Sequence, residues 1–151
     1  MSETDLGDTR LLLPRLGGFY CWAAPVSWLI VRVAAGAILI VHGWPKVASG
    51  PSTFAAAFEE RGLAHGTIWA WIAMSIEFVG GIGITLGLFT RFFAAAAAVE
   101  MAIILTMYLP NGFSWLNRGY EFVLMWGLLC FAIALRGGGP YSLDRRIGVQ
   151  L

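Results

Sequence analysis

Four long apolar segments dominate this sequence of 151 residues, and each contains a single charged residue. The segments cover residues 20–41, 67–90, 92–110 and 119–135. A helix needs about 20 mostly apolar residues to cross a bilayer core of about 30 Å. A membrane barrel would instead need about eight or more strands that alternate apolar and polar residues, which these continuous apolar runs do not show. The pattern therefore predicts an all-α membrane protein, a bundle of four transmembrane helices.

The composition excludes a soluble domain and a disordered chain. Only 13% of the residues are charged and 58% are hydrophobic, whereas soluble domains carry about 25% charged residues. Disordered chains are poor in apolar residues. A net charge of +1 without a basic run argues against a nucleic-acid partner. The lipid bilayer is the predicted surrounding of most of the chain.

The positions of lysine and arginine predict the orientation in the membrane. Six of them lie on the side of the two termini and of the turn between the second and third segments, and three lie on the opposite side. This excess predicts that both termini are cytoplasmic, with tails at 1–19 and 136–151 around a membrane domain at 20–135. Residues 1–8 contain acidic residues and no Lys or Arg, unlike a cleaved signal peptide, so the first segment is expected to be retained.

Two short helices are predicted outside the four segments. Residues 51–61 place Phe54 and Phe58 on one helical face, and Gly62 can end that helix. We expect an interfacial helix on the outer leaflet between the first and second segments. After the fourth segment, a run of glycines followed by proline stops the helix, and Ser142 can cap a short C-terminal turn.

Arg32, Glu77 and Glu100 lie near the middle of the first three segments. A charge at mid-bilayer costs about 2.5–3.5 kcal/mol, so we expect these three residues to form a polar core in which Arg32 pairs with one or both acids. If they pair, Arg32→Ala should cost more stability than replacing Arg32 and Glu77 together by leucine. If all three side chains are ionised, their formal charges sum to −1, so one glutamate would hold a proton or recruit another cation. The core is expected to serve helix packing alone, or quinone chemistry, or proton movement.

A second polar group is expected at the outer ends of the first and fourth segments, formed by His42, Lys46, Asn117 and Glu121. Histidine as a residue type titrates near neutral pH, so this group is a candidate ligand or proton site at the outer mouth of the bundle. The alternatives are an interfacial histidine without chemistry and a lysine that extends to the lipid headgroups.

Small residues predict where helices approach closely. Four glycines are expected at helix contacts, and two of them form a GxxxG pair: Gly36, Gly80, Gly83 and Gly87. No cluster of His, Cys or acidic residues has metal-ligand spacing, so no metal is predicted. Cys21 and Cys130 are isolated, which argues against a structural disulfide. The sequence identifies no catalytic residue.

Two ordered sets of motifs resemble a known family. In the first segment Arg32-x-x-x-Gly36 leads to His42-Gly43-x-x-Lys46, and in the second Glu77-x-x-Gly80-Gly81 leads to Leu86-Gly87-Leu88-x-Thr90-Arg91. In this order they resemble the DoxX family of bacterial inner-membrane proteins, from about residue 28 to the end of the fourth segment. That family is named after small membrane subunits of a terminal quinol oxidase and of thiosulfate:quinone oxidoreductase.

The resemblance implies an accessory or quinone-interacting subunit of a membrane redox system, with a protein partner. It carries Arg32, His42, Lys46 and Glu77 over as the characteristic polar positions. The chain has no cofactor motif and no paired cysteines, so the expected role is that of a subunit, with quinone as the ligand and no cofactor of its own. Two alternatives stay open. One is a small proton- or ion-coupled transporter, acting as a homo-oligomer, and the other is a non-catalytic membrane anchor or assembly factor.

Overall fold

The structure is a computed structural model that describes residues 11–150. The stretch 1–8, whose charges led to the expectation that the first segment is retained, lies outside the described residues. Within them the chain is entirely helical and has no strand. Its α-helices are α1 (Gly17–Ser49), α2 (Ala55–Glu59), α3 (Gly66–Met74), α4 (Gly81–Leu86), α5 (Thr90–Tyr108), α6 (Glu121–Arg136) and α7 (Leu143–Ile147). A π-helical segment, Ser75–Gly80, joins α3 to α4, and four 3-10 turns complete the fold: Pro14–Leu16, Pro51–Phe54, Leu109–Asn111 and Trp115–Asn117.

Three helical stretches among the described residues are long and apolar enough to cross a membrane: Pro14–Ser49, Gly66–Leu86 and Thr90–Asn111. The predicted fourth crossing corresponds to α6. Its 16 residues extend about 24 Å, less than the apolar core of about 30 Å. The structure therefore supports three of the four predicted spans by length, and α6 packs against α5 at their side.

The segment between the first two spans contains the turn Pro51–Phe54 and the short helix α2. Gly62 follows with a φ of +87°, a conformation that favours glycine after a helix end. The Glu59 Oε1 atom accepts a hydrogen bond from the Gly66 amide at 3.1 Å, which holds α2 against the start of α3. The position of this segment on the outer leaflet stays a prediction.

Glycines set the contact between α1 and the second span. A Cβ atom on Gly36 would lie 2.6 Å from both the Gly81 oxygen and the Thr85 nitrogen, and one on Gly43 would lie 2.6 Å from the Phe78 nitrogen. Such distances leave no room for a side chain, so the two backbones touch at both levels. These contacts fix the vertical register of α1 against the second span.

The predicted GxxxG pair is divided between two neighbours. A Cβ on Gly80 would lie 3.2 Å from Phe93 Cδ1, and one on Gly83 would lie 2.6 Å from Phe93 Cε2, so both glycines face α5. Gly87 ends α4 with a φ of +72°, and its Cβ would lie 2.8 Å from the Cα of Ser142. Gly87 therefore admits the C-terminal segment and the guanidinium group of Arg32 from α1, and not the backbone of another transmembrane helix.

We expect Gly36→Ala to destabilise the protein by about 1–3 kcal/mol, because the added methyl group meets backbone atoms that cannot move alone. Gly18 lies in the same helix with nothing within 4 Å of a built Cβ, so Gly18→Ala is the matched control and should leave stability unchanged or slightly higher. Unfolding of both variants by a denaturing detergent measures the difference. Equal stabilities would contradict the close contact at Gly36.

Candidate functional site

Arg32 is buried, with 1% of its surface exposed, and its partners are backbone carbonyls. Its Nη1 atom donates to the oxygens of Ile84 at 2.8 Å and Thr85 at 3.0 Å, and Nη2 donates to the oxygen of Tyr141 at 2.7 Å. The first two oxygens lie at the C-terminal end of α4, where the helix dipole favours a cation. The guanidinium group thus joins α1, α4 and the segment that follows α6.

The expected pairing of Arg32 with an intramembrane glutamate is therefore wrong. The glycine contacts between α1 and the second span place Arg32 level with Ile84. Ile84 lies seven residues beyond Glu77, which is about 10 Å along a helix. The register of the helices, which sequence depth alone does not specify, separates the arginine from both acids.

Asp144 binds the C-terminal segment to the same end of the bundle. The residue is 1% exposed, and its carboxylate accepts hydrogen bonds from the amides of Phe89 at 2.6 Å and Thr90 at 3.0 Å and from Thr90 Oγ1 at 2.7 Å. A carboxylate at this position satisfies free amides in the first turn of α5 and complements its dipole. Sequence reasoning missed this residue. The only signal for it was its place in the turn after Ser142, whose side chain caps α7 as predicted.

Glu77 forms an ion pair with Lys46. The Lys46 Nζ atom lies 2.5 Å from Glu77 Oε2, 3.3 Å from the His42 carbonyl oxygen and 5.7 Å from the centre of the Phe54 ring. Glu77 lies in the π-helical segment Ser75–Gly80, and such widened turns are frequent at functional sites. One residue of the expected polar core and one of the expected outer mouth thus belong to the same pair.

Glu100 lies at the depth of Glu77 but has no partner. It follows Thr90 by ten residues, and Glu77 precedes Leu86 by nine, so both lie about 14–15 Å from the turn that joins their helices. Glu100 is 8% exposed, and neither of its carboxyl oxygens has a hydrogen-bond partner among the described residues. Lys46 balances the charge of Glu77. The buried Glu100 carboxyl therefore needs either a proton or an added cation to balance its charge.

Glu77 and Glu100 both line a cavity of about 430 Å³, here called cavity A, between α2, α3 and α5. Apart from these two carboxyl groups its lining is apolar. The contributing side chains include Phe58, Trp69, Ile72, Ala96, Val99 and Ile103. This volume and lining are typical of a site for a small apolar ligand that makes a few polar contacts.

A second cavity of about 350 Å³, here called cavity B, lies on the other side of Glu77 between α1, α5 and α6. His42 and Tyr108 line it together with Glu77, and Phe122, Val123 and Trp126 form its α6 side. Glu77 and Ile104 line both cavities. These two side chains therefore form the wall that cavities A and B share.

The other two residues of the expected outer mouth lie elsewhere. Asn117 is exposed, and the Glu121 Oε2 atom accepts a hydrogen bond from the Trp115 amide at 3.2 Å, which holds the loop before α6. Neither residue lines cavity A or cavity B. Within residues 11–150 no group of three or more His, Cys, Asp or Glu side chains is arranged to hold a metal ion.

Comparison with known proteins gives the family. The family model DoxX matches residues 27–109, a region that contains Arg32, the Lys46–Glu77 pair and Glu100. An uncharacterised protein of Haemophilus influenzae is 29% identical over 126 residues, which cover 81% of this chain and 91% of that protein. No solved structure matches the chain. Because the family match covers more than half of the sequence and the helices are apolar enough to cross a bilayer, the chain is a membrane protein of the DoxX family.

Proposed function

We propose that this protein is an accessory subunit of a membrane redox system and binds a quinone or quinol head group in cavity A. The observation that carries the proposal is the buried, unpartnered carboxyl of Glu100 in the wall of an apolar cavity. A quinone ring carries carbonyl oxygens that accept hydrogen bonds, and a quinol carries hydroxyl groups that donate them. A carboxyl group donates when protonated and accepts when ionised, so Glu100 can serve both forms of the ligand.

The lining of cavity A supports a ligand that enters from the bilayer. Ile72, Phe92 and Val99 line the cavity and are also exposed on the outer surface of the bundle. A lipid-soluble molecule can therefore reach Glu100 without crossing an aqueous phase. Phe58 and Trp69 supply aromatic faces against which a flat ring can stack.

Reduction of a quinone consumes electrons and an equal number of protons. In this proposal the electrons are exchanged with a redox protein in the same membrane, which is the implied partner. A full reduction takes two electrons and two protons: Glu100 gives the protons to the ring oxygens one at a time and is reprotonated after each, while the apolar walls of cavity A hold the ring. The task of this chain is thus to bind the ligand and move a proton at Glu100.

In the proposed arrangement, α6 makes a fourth crossing of a bacterial inner membrane. Trp28 Nε1 donates to the Gly137 oxygen at 3.0 Å, and Arg91 Nη1 donates to the Leu135 oxygen at 2.6 Å. The first half of α1, the turn before α5 and the end of α6 therefore lie at one end of the bundle, as an even number of crossings requires. Local thinning of the bilayer accommodates the short α6, and the excess of arginine at this end makes it cytoplasmic.

Binding of a short-chain benzoquinone to the full-length protein in lipid nanodiscs tests the ligand. Ala96→Phe places a ring inside cavity A, and we expect it to weaken binding by at least about tenfold, equivalent to about 1.4 kcal/mol. Ala102→Phe makes the same change at an exposed position of α5 and should bind like the unmodified protein. Glu100→Leu should weaken binding by about 3- to 10-fold through the lost hydrogen bond, whereas Glu100→Gln keeps a donor and most of the affinity.

Two results would overturn the proposal. One is the absence of quinone binding to the unmodified protein, and the other is an Ala96→Phe variant that binds as tightly as Ala102→Phe. Proton or cation flux in proteoliposomes that disappears in Glu77→Gln, without quinone binding, would instead support the transporter alternative.

A further inference from the structure

We propose that a proton route connects Glu100 through Glu77 and cavity B to the end of the bundle at which Tyr108 lies. The purpose of this route rests on the proposed function, in which Glu100 gains and loses a proton as the ligand changes state. Cavity A offers Glu100 one other ionisable side chain, Glu77. Among the described residues, Glu77 is therefore the ionisable side chain that can take up, within this cavity, a proton that leaves Glu100.

Cavity B has the lining that a water-filled route needs. Its walls include the polar side chains of His42, Tyr108 and Glu77, and a volume of about 350 Å³ holds several water molecules at about 30 Å³ each. Tyr108 is the last residue of α5 and Phe122 lies in the first turn of α6, so cavity B extends from the depth of Glu77 to that end of the bundle. Glu77, in the wall shared with cavity A, is accessible from both sides.

Lys46 allows Glu77 to change its charge. When Glu77 is protonated, the Lys46 ammonium group keeps two other contacts, the His42 carbonyl oxygen at 3.3 Å and the Phe54 ring at 5.7 Å. A cation over an aromatic face is stabilised by the charge distribution of the ring. Opening the ion pair therefore does not leave a buried charge without contacts, which is the main cost of breaking such pairs.

The charged and ionisable groups that face Glu77 are few. The helix α1 contributes His42 and Lys46, α5 contributes Glu100 and Tyr108, and the α6 residues that line cavity B do not titrate.

Each transfer along the route conserves the proton. The O–H bond of Glu100 breaks as an O–H bond forms on Glu77, directly or through one water molecule. Glu77 then releases the proton to water in cavity B, directly or through the imidazole of His42, and this water passes it to the aqueous phase beside Tyr108. Transfer in the opposite direction recharges Glu100.

Hydrogen–deuterium exchange at the Glu100 carboxyl tests this route in the full-length protein in nanodiscs without quinone. The infrared carboxyl band that disappears in Glu100→Gln reports this group, and its shift in D₂O measures the exchange. We expect Glu77→Gln to slow the exchange by at least about tenfold, because the acceptor is lost. Val123→Phe fills cavity B and should slow it similarly, whereas Leu128→Phe, at an exposed position of the same helix, should exchange like the unmodified protein.

A Glu77→Asp variant keeps an ionisable group and should restore most of the rate, which a purely structural ion pair would not explain. Exchange as fast in Val123→Phe and Glu77→Gln as in Leu128→Phe would overturn the route. So would the absence of a Glu100 carboxyl band at neutral pH, because Glu100 would then hold no proton to transfer. Since no quinone is present, a failed route leaves the quinone-binding result standing, and failed quinone binding leaves the exchange result standing.

Discussion

Asp144→Ala is expected to lower the free energy of unfolding by about 3–4 kcal/mol, a large effect for a residue outside the transmembrane helices. The change removes the acceptor of the Phe89 and Thr90 amides and of the Thr90 hydroxyl; both Thr90 bonds are buried and the Phe89 bond is partly buried. These donors then lack partners and solvent, which is more costly than the loss of an exposed hydrogen bond. Equilibrium unfolding in mixed micelles measures the effect.

The matched control for Asp144→Ala is Arg145→Ala, since Arg145 is the next residue and is exposed. We expect no measurable change in stability from Arg145→Ala. Asp144→Ala should also speed proteolysis after Arg136, because the segment that follows α6 loses its attachment to α5. A variant as stable and as protease-resistant as Arg145→Ala would show that the carboxylate does not hold the C-terminal segment.

Arg32→Leu is expected to destabilise the protein by about 3–5 kcal/mol. The guanidinium group donates to the carbonyl oxygens of Ile84, Thr85 and Tyr141 in a buried or partly buried region. Leucine removes these donors, although the Ile84 oxygen keeps its bond from the Gly87 amide. The residue also links α1 to the segment after α6, so its loss affects two contacts at once. Unfolding by a denaturing detergent measures the change.

The double variant Arg32→Leu with Glu77→Leu distinguishes the observed register from a direct pair. We expect the two effects to add within about 0.5 kcal/mol, because the residues share no partner and lie about 10 Å apart along the bundle. Since Glu77→Leu also removes the ion pair with Lys46, the double variant should be less stable than Arg32→Leu, whereas the expectation from sequence alone was that it is more stable than Arg32→Ala. The pair Lys46→Met and Glu77→Leu should behave differently, because these residues are in contact. We expect the double variant to be destabilised by less than the sum of the two single variants. If Glu77→Leu restored the stability that Arg32→Leu loses, the register of α1 against the second span would be wrong.

The sequence by itself determined that this chain is helical, that it belongs in a bilayer and where its hairpin turns. The segments predicted at 67–90 and 92–110 correspond to the helical stretches Gly66–Leu86 and Thr90–Asn111, with the turn at Gly87. These features follow from local properties, the length of an apolar run and the scarcity of charge, because backbone groups in lipid must be paired within the segment. The depth of Glu77 and Glu100 within their own helices could be predicted for the same reason.

Only the tertiary structure decided which charged groups meet. Depth along one segment does not specify the register against another, and here that register depends on the contacts of Gly36 with Gly81 and of Gly43 with Phe78. These contacts bring Lys46 to Glu77 and place Arg32 at the far end of α4. The return of the C-terminal segment to α5 likewise depends on shape, since Gly87 leaves the space that this segment occupies. Partners distant in sequence are selected by packing, which local composition does not encode.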